Sequence, residues 1–367
     1  MNPKKYFKTW KQFIAYIALL SIFYIIKAPL FTNAQSYIHF DTTTTIVGFY
    51  NFENYYDTTD QLNVSDEEFL PNSAKGYNSS LFKNKSMHLS TVIYGMGKIE
   101  NANGISLLGI AEVENKNVLK NLASQPLIKK YNYQFIHFDS KDSRGIDVAL
   151  MYHPQYFKPY QYRSYSLTDA HHFTSYATRD ILYVQGLLNN NWVHVLVNHW
   201  PSRRGGEKAS MDKRIWAATV CKRIMDSIES RNPNAKFIVM GDFNDNPNNK
   251  SIKHLNMINP FLELFKKGLG SMAYRDSWSL FDQILLSKNW MMKAGIDSKI
   301  EDVSSNQNNL LYCKSIIYRN STLTEQDGRY QGYPKRTWNG DQYMGGYSDH
   351  YPALIIFKSK NGEKPLK

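Results

Sequence analysis

Phe237-Ile-Val-Met-Gly-Asp-Phe-Asn-Asp245 is the stretch from which the fold is read. Four apolar residues run straight into Gly241, the pattern of a buried strand rather than a surface helix. Asp242 and Asn244 follow at a spacing of two, so in extended chain their side chains project to one side. A carboxylate and a carboxamide leaving a sheet edge together can meet a hard cation or a phosphate oxygen. An Asx turn capping the strand accounts for the same residues equally well.

The same form recurs elsewhere. Val47-Gly-Phe-Tyr-Asn-Phe-Glu53 carries Asn51 and Glu53 at the same spacing, and Leu107-Leu-Gly-Ile-Ala-Glu112 ends in a carboxylate. Val195-Leu-Val-Asn-His199 ends in a histidine followed by Trp-Pro-Ser-Arg203, Phe281–Leu286 carries Asp282 near its start, and Tyr347-Ser-Asp-His350 enters the run Pro352–Phe357. One polar residue at a strand end is ordinarily a satisfied turn group. Six such ends are harder to attribute to packing.

These runs, with Tyr133–Phe138, Ile146–Tyr152 and Ile181–Leu188, are rich in Val, Ile and aromatic residues and are bounded by Gly, Asn and Pro, which predicts strands. Helical spacing is clearest over Lys208–Ser230 and again over Lys83–Lys98. Strands mixed with helices predict an α/β fold, a four-layer sandwich of two packed mixed sheets flanked by helices. No linker divides the chain, so one catalytic domain is expected over residues 40–360, with a short tail at 361–367.

Composition sets outer bounds. With 42% hydrophobic, 14% aromatic and 21% charged residues the chain is globular, not fibrous or disordered. Its 367 residues carry a formal net charge of +12; Lys4, Lys5, Lys8, Lys11 and Lys27 precede Ala34 with no acidic residue among them, which leaves +7 for the rest. That excess suits an anionic substrate, and a basic surface kept for solubility suits it equally. The basic start precedes 14 apolar residues, Phe13–Ile26, and then Thr32-Asn33-Ala34. The apolar run falls short of the roughly 20 residues that span a bilayer. Residues 1–34 therefore read as a signal peptide, with export to a periplasm or beyond and a mature chain beginning at Gln35. An uncleaved membrane anchor is the alternative. Of the two cysteines, Cys221 falls in a helical pattern and is expected to be buried; pairing with Cys313 stays open.

Taken in order, Asn51-Phe-Glu53, Glu112, His199, Gly241-Asp-Phe-Asn244, Asp282 and Ser348-Asp-His350 resemble the motifs of the endonuclease/exonuclease/phosphatase superfamily. That group includes pancreatic-type deoxyribonuclease, abasic-site endonucleases, neutral sphingomyelinase and inositol-polyphosphate phosphatases. The resemblance covers residues 46–357, and longer runs such as Ser143–Leu150, Val197–Arg203 and Gly345–His350 resemble a secreted bacterial branch. It implies a metal-dependent phosphoesterase in which Glu112 is the principal metal ligand, with Asn51, Glu53 and Asp349 lining the same site. Oxygen ligands favour Mg²⁺ or Mn²⁺, with Ca²⁺ next, over zinc. Asp242 would orient or deprotonate water and Asn244 would hold a phosphate oxygen. His199 and His350, the latter braced by Asp282, would contact the phosphoryl group. Arg144, Arg203 and Arg204 are candidate phosphate clamps and equally solvated loop charges. Asp57, Asp60, Asp66, Glu67 and Glu68 read as a solvated loop before a structural ion site. No single tyrosine among the 26 can be assigned the catalytic role found in the abasic-site branch. A nuclease acting as a monomer is the leading expectation. A sphingomyelinase-like enzyme or a small-phosphoester phosphatase is the alternative, and an inactive polyanion-binding protein on the same fold is the reading from another class.

Overall fold

Apolar runs that alternate between two buried faces build two sheets. A computed structural model describes residues 44–168, 178–290 and 310–359; the export segment expected over residues 1–34 and the tail at 361–367 lie outside the described residues. The strands are β1 (Thr44–Tyr55), β2 (Leu107–Val113), β3 (Gln134–His137), β4 (Asp147–Tyr152), β5 (Phe157–Tyr165), β6 (Ile181–Leu188), β7 (Asn191–His199) and β8 (Phe237–Asp242). They continue with β9 (Met272–Tyr274), β10 (Ser277–Ser279), β11 (Asp282–Leu286), β12 (Leu310–Ile317), β13 (Trp338–Asn339), β14 (Gln342–Tyr343) and β15 (Ala353–Ser359). The helices are α1 (Ser79–Met96), α2 (Lys116–Ala123), α3 (Glu207–Glu229), α4 (Lys250–His254) and α5 (Leu262–Lys266).

One sheet has the order β12-β15-β1-β2-β4-β3 and the other β11-β8-β7-β6-β5. In each, one adjacent pair is parallel, β1 with β2 and β7 with β8, and the rest are antiparallel. Strand β8 shows how the layers form. Ile238 and Met240 pack into the core shared by the sheets, while Phe237 and Val239 pack with Ala217, Ala218 and Cys221 of α3 on the outer face. A strand covered on both faces must be apolar along its covered length, as this one is from Phe237 to Met240. On the other side Leu89, Val92, Ile93 and Met96 of α1 seat the helix on the first sheet. Asn78 caps α1, its side chain accepting the N–H groups of Ser80 and Leu81. Gly109 leaves room for the Met240 side chain of the facing sheet, because a Cβ there would stand 2.4 Å from Met240 Sδ.

Both cysteines are free, Cys221 buried and Cys313 exposed, so the pairing left open by the sequence is not formed. The acidic loop is wired internally. Asp57 accepts from Asn115, Asp66 from the Gln61 N–H, and Glu68 pairs with Lys75. Among the described residues no helix is long and apolar enough to cross a membrane.

Two core histidines make stability pH-dependent. His153 sits among the rings of Tyr131, Tyr133 and Tyr156, and His194 lies against Phe237 with Nδ1 2.8 Å from the Tyr183 hydroxyl. Burial pushes both down to about 4. An unfolded histidine titrates near 6.5, so as pH falls the unfolded chain binds these protons first. The contribution is complete above about pH 6.5 and is lost towards about pH 4. His153→Asn removes the titration and still offers an acceptor to the Gln155 N–H, which His153 Nδ1 now accepts at 3.2 Å. Its urea midpoint should fall less than that of the wild type between about pH 7 and about pH 5. Parallel profiles for the two proteins would contradict this account.

Candidate active site

The parallel pairs end at one edge, and β11 and β15 begin there. Register alone lines up part of the site: His199 pairs with Asp242, and Asp242 pairs with Asp282. Strand parity does the rest. Asp242 follows Met240 and His199 follows Val197 on the face turned to the other sheet, where both apolar residues belong to the shared core. From the first sheet, Asn51 directs its Nδ2 to Asp242 Oδ2 at 3.1 Å and to Glu112 Oε1 at 3.3 Å.

The backbone bends sharply at these strand ends. Glu53, Glu112 and Asn244 have φ of 50°, 62° and 52°, a left-handed conformation uncommon outside glycine and costly for a long side chain such as glutamate. Between β1 and β2 the register slips from Asn51–Ala111 to Tyr55–Val113, and Glu112 sits in that bulge. Its Oε2 accepts the Asn54 N–H at 2.9 Å, which fixes the carboxylate towards the site.

Asx turns are present as well. Asp242 Oδ1 accepts the Asn244 N–H at 3.0 Å and Asn51 Oδ1 accepts the Glu53 N–H at 2.9 Å. For Asp242 the two readings are compatible, since Oδ1 closes the turn and Oδ2 faces the site. For Asn51 the turn oxygen accepts the Glu53 N–H, while its NH₂ donor faces both carboxylates and aligns them.

Two histidines face the same carboxylates and are shifted in opposite directions. His199 Nε2 lies 3.7 Å from both Glu112 Oε1 and Asp242 Oδ2. Burial, then the Arg179 and Arg144 charges, hold it well below the usual histidine range. His350 Nδ1 donates to Asp282 Oδ2 at 2.6 Å, and its Nε2 lies 4.0 Å from Asp242 Oδ2 and 3.9 Å from Asp349 Oδ1. Burial opposes charge on His350, but Asp282, Asp349 and Asp242 together raise it well above the usual range. The surroundings thus push the two rings in opposite directions, His199 towards the neutral form and His350 towards the charged one. Burial also raises Asp242 to about 7, against the attraction of His350.

Glu53 and Asp349 form a second acidic pair beside this group. Glu53 accepts the N–H groups of Thr337 and Trp338 at 2.6 and 3.2 Å. Arg336 stands 3.8 Å from Glu53 Oε1 and 3.3 Å from Asp349 Oδ2. Burial and Asp349 raise Glu53 to about 7. Asn244 is oriented from behind, its Nδ2 donating to the Trp200 carbonyl at 3.0 Å.

Arg203 departs from its expected role. Its guanidinium donates to the Asn244 carbonyl, Glu207, Asp245 and Asn249, and lies 4.7 Å from the Phe281 ring centroid. With its donors committed to the protein, it braces the loop carrying Asn244 and is not available as a phosphate clamp. Arg204 and Arg144 remain exposed, with Arg144 loosely paired to Asp142 at 3.8 Å.

Sequence reasoning missed three charged groups. Buried Arg179 donates to Asp142 at 3.1 Å and to the Trp200 carbonyl at 3.0 Å, behind Asn244 and His199. Arg336 lies in a loop without periodicity. Lys85 was legible in principle, because it falls on the apolar stripe of α1 four residues before Leu89. It is buried, donates to Thr337 Oγ1 and to the Tyr347 carbonyl, and burial lowers it to about 8 against the attraction of Glu53.

The donor set fits a hard divalent cation. Glu112 and Asp242 converge on a neutral amide and a neutral imidazole, with no lysine or arginine among the recorded contacts of either side chain. Oxygen donors around unbalanced charge select Mg²⁺-like ions. Asp242, Asp282 and His350 also offer ligand atoms within 4.8 Å of one another. The Asp282–His350 hydrogen bond already occupies one of those carboxylates, whereas Glu112, among the described residues, accepts only from Asn51 and Asn54.

Two mixed sheets with helices outside, and carboxylates and histidines gathered where parallel strands end, define the α/β-sandwich phosphoesterases. The chain belongs to the endonuclease/exonuclease/phosphatase family, which it matches over residues 46–359. Members of that family are hydrolases acting on phosphoesters. Its fold is similar to that of a family protein from Bacteroides thetaiotaomicron at 14% identity and a TM-score of 0.51, covering 86% of this chain and 98% of that one. A functionally unknown conserved protein from Enterococcus faecalis V583 shares 13% identity at a TM-score of 0.51, covering 86% and 100%. Humanized D. rerio TDP2 shares 11% identity at 0.50, covering 86% and 99%. At such identities the likeness is one of fold. No curated protein sequence matches.

Proposed function

We propose that this protein is a divalent-metal-dependent phosphodiesterase whose leading substrate is nucleic acid. The observation that carries the proposal is the placement of Glu112 and Asp242 on one Asn51 amide, opposite a His350 held by Asp282. Glu112 and Asp349 would hold Mg²⁺ or Mn²⁺, which when bound supplies Lewis-acid polarisation of the phosphoryl group. Asp242 orients the attacking water and takes its proton as the water oxygen bonds to phosphorus and the P–O ester bond breaks. His350, held by Asp282, and the Asn244 amide bond the phosphoryl oxygens as their charge grows. His199 adds a neutral Nε2 donor beside Glu112. Arg144 and Arg204 are the exposed cations left to meet neighbouring phosphates.

Purified protein should hydrolyse bis-p-nitrophenyl phosphate and plasmid DNA or RNA with Mg²⁺, and lose that activity in EDTA. Turnover of the chromogenic diester or of sphingomyelin, without any action on DNA or RNA, would reject the nuclease reading in favour of a lipid or small phosphoester. Full turnover in EDTA would reject the metal. Export through residues 1–34 remains part of the proposal on the sequence pattern alone. The N-terminal mass of the protein in its own cells tests it: Gln35 indicates a cleaved leader, Met1 an anchor.

A further inference from the structure

Beside the catalytic group lies a cleft of about 190 Å³ that no motif marks. It opens between the turn joining β9 to β10 and the loop ending at Arg336. Its volume is below the roughly 300–1,000 Å³ of pockets that enclose a whole ligand, so it suits part of a larger substrate.

Its chemistry is specific. Arg275, Arg329 and Arg336 line it with Tyr274 and Tyr330, which are 65% and 50% exposed. Arg275 lies 5.2 Å from the Tyr274 ring centroid and Arg329 lies 5.8 Å from that of Tyr330. Neither guanidinium has an ion pair or hydrogen bond recorded among the described residues, in contrast to Arg203. Two acidic residues also line the cleft, Glu325 and Asp276, the latter accepting from the Tyr333 hydroxyl at 2.6 Å, against three arginines.

The cleft is tied rigidly to the catalytic residues. Tyr333 also accepts the Asp276 N–H at 2.7 Å, which straps the hairpin to the loop. Tyr351, next to His350, donates its hydroxyl to Thr324 at 2.7 Å and its N–H to the Ser271 carbonyl at 2.7 Å. A Cβ on Gly346 would stand 2.1 Å from the Arg336 carbonyl, so the cleft-lining loop and the segment leading to Asp349 pack backbone against backbone. Arg336 belongs to both places, lining the cleft and pairing with Asp349.

We propose that this cleft is a second subsite of the same site, taking the nucleotide next to the scissile phosphate with its base unstacked against Tyr330 and its own phosphate facing Arg275 and Arg329. The proposal rests on the phosphodiesterase reading and deepens it to single-stranded or locally unpaired nucleic acid, because a base held inside a duplex cannot reach a tyrosine face. Unpaired guanidiniums beside exposed tyrosines provide the two contacts such a strand needs, one for phosphate and one for the base.

The test uses the full chain and reads binding apart from turnover. A fluorescein-labelled oligothymidylate is titrated in EDTA with wild type, with Arg275→Gln combined with Arg329→Gln, and with Tyr330→Ala. All three positions are exposed, and circular dichroism checks the folds. Kd should rise about tenfold or more in each variant. The salt slope should fall by about 1.4 in the arginine pair, at about 0.7 per lost single-strand phosphate contact, and should hold in Tyr330→Ala. In Mg²⁺, kcat/KM on the oligonucleotide should fall about tenfold further than kcat/KM on bis-p-nitrophenyl phosphate. Unchanged Kd and slope in the variants, or no binding by the wild type, overturn the subsite while the phosphodiesterase reading stands on diester turnover. A wild type inactive on every diester overturns that reading instead.

Discussion

His350→Ala is expected to lower kcat on a phosphodiester about 10²–10³-fold, roughly the 3 kcal/mol lost with one preorganised donor. The size follows from what surrounds the ring. Asp282 holds Nδ1 at 2.6 Å, and three carboxylates keep the imidazole charged in a buried place. A charged donor fixed before reaction stabilises growing phosphoryl charge without reorganisation. Asp282→Asn should cost less, about 10–100-fold, because it leaves the ring present but weakens its orientation and charge. Asp282 is fully buried against His350, so a neutral amide there weakens a buried charge-assisted contact and a modest loss of stability is expected with it. A urea midpoint only modestly below wild type with a depressed kcat would assign Asp282 a positioning role. A matching loss of stability and activity would make its role structural.

Glu112→Gln is expected to remove nearly all metal-supported turnover, several kcal/mol of barrier or about 10³-fold and more. The substitution keeps the shape and an acceptor for the Asn54 N–H, and removes the charge together with the second acceptor, which Asn51 Nδ2 meets at 3.3 Å. It also relieves repulsion, since Glu112 and Asp242 meet on one amide and, among the described residues, no lysine or arginine pairs with either. In EDTA the variant should therefore be at least as stable as the wild type. Activity of Glu112→Gln within a few-fold of wild type would contradict the assignment.

The strands that read most directly are those whose faces are both covered. Strand β8 is apolar from Phe237 to Met240 because a sheet packs on one side and α3 on the other. Strands β5 and β12 were missed because they are edge strands with half-exposed patterns, and Pro159 interrupts β5 beside a register shift. Helix α2 has only 8 residues, too short for periodicity to declare. At the site, the polar strand ends were legible as positions but not as orientations. Which atom of Asn51 faces the carboxylates is decided by a bond to its own strand. Arg203, beside a candidate histidine, looked free because its acceptors at Asp245 and Asn249 lie more than forty residues away in sequence. Charge state was equally hidden, since His199 and His350 differ only in whether a carboxylate stands behind the ring.

Ion binding by the Glu112 carboxylate is the central claim, and thermal unfolding with and without Mg²⁺ tests it most directly. A ligand that binds only the folded state raises stability by RT ln(1 + [L]/Kd), about 2.7 kcal/mol at a hundredfold excess over Kd. The wild type should show a Tm that climbs with Mg²⁺ and falls back in EDTA, while Glu112→Gln should show none of that climb. An equal Mg²⁺-dependent rise in both proteins, or none in the wild type together with full activity in EDTA, would contradict the account.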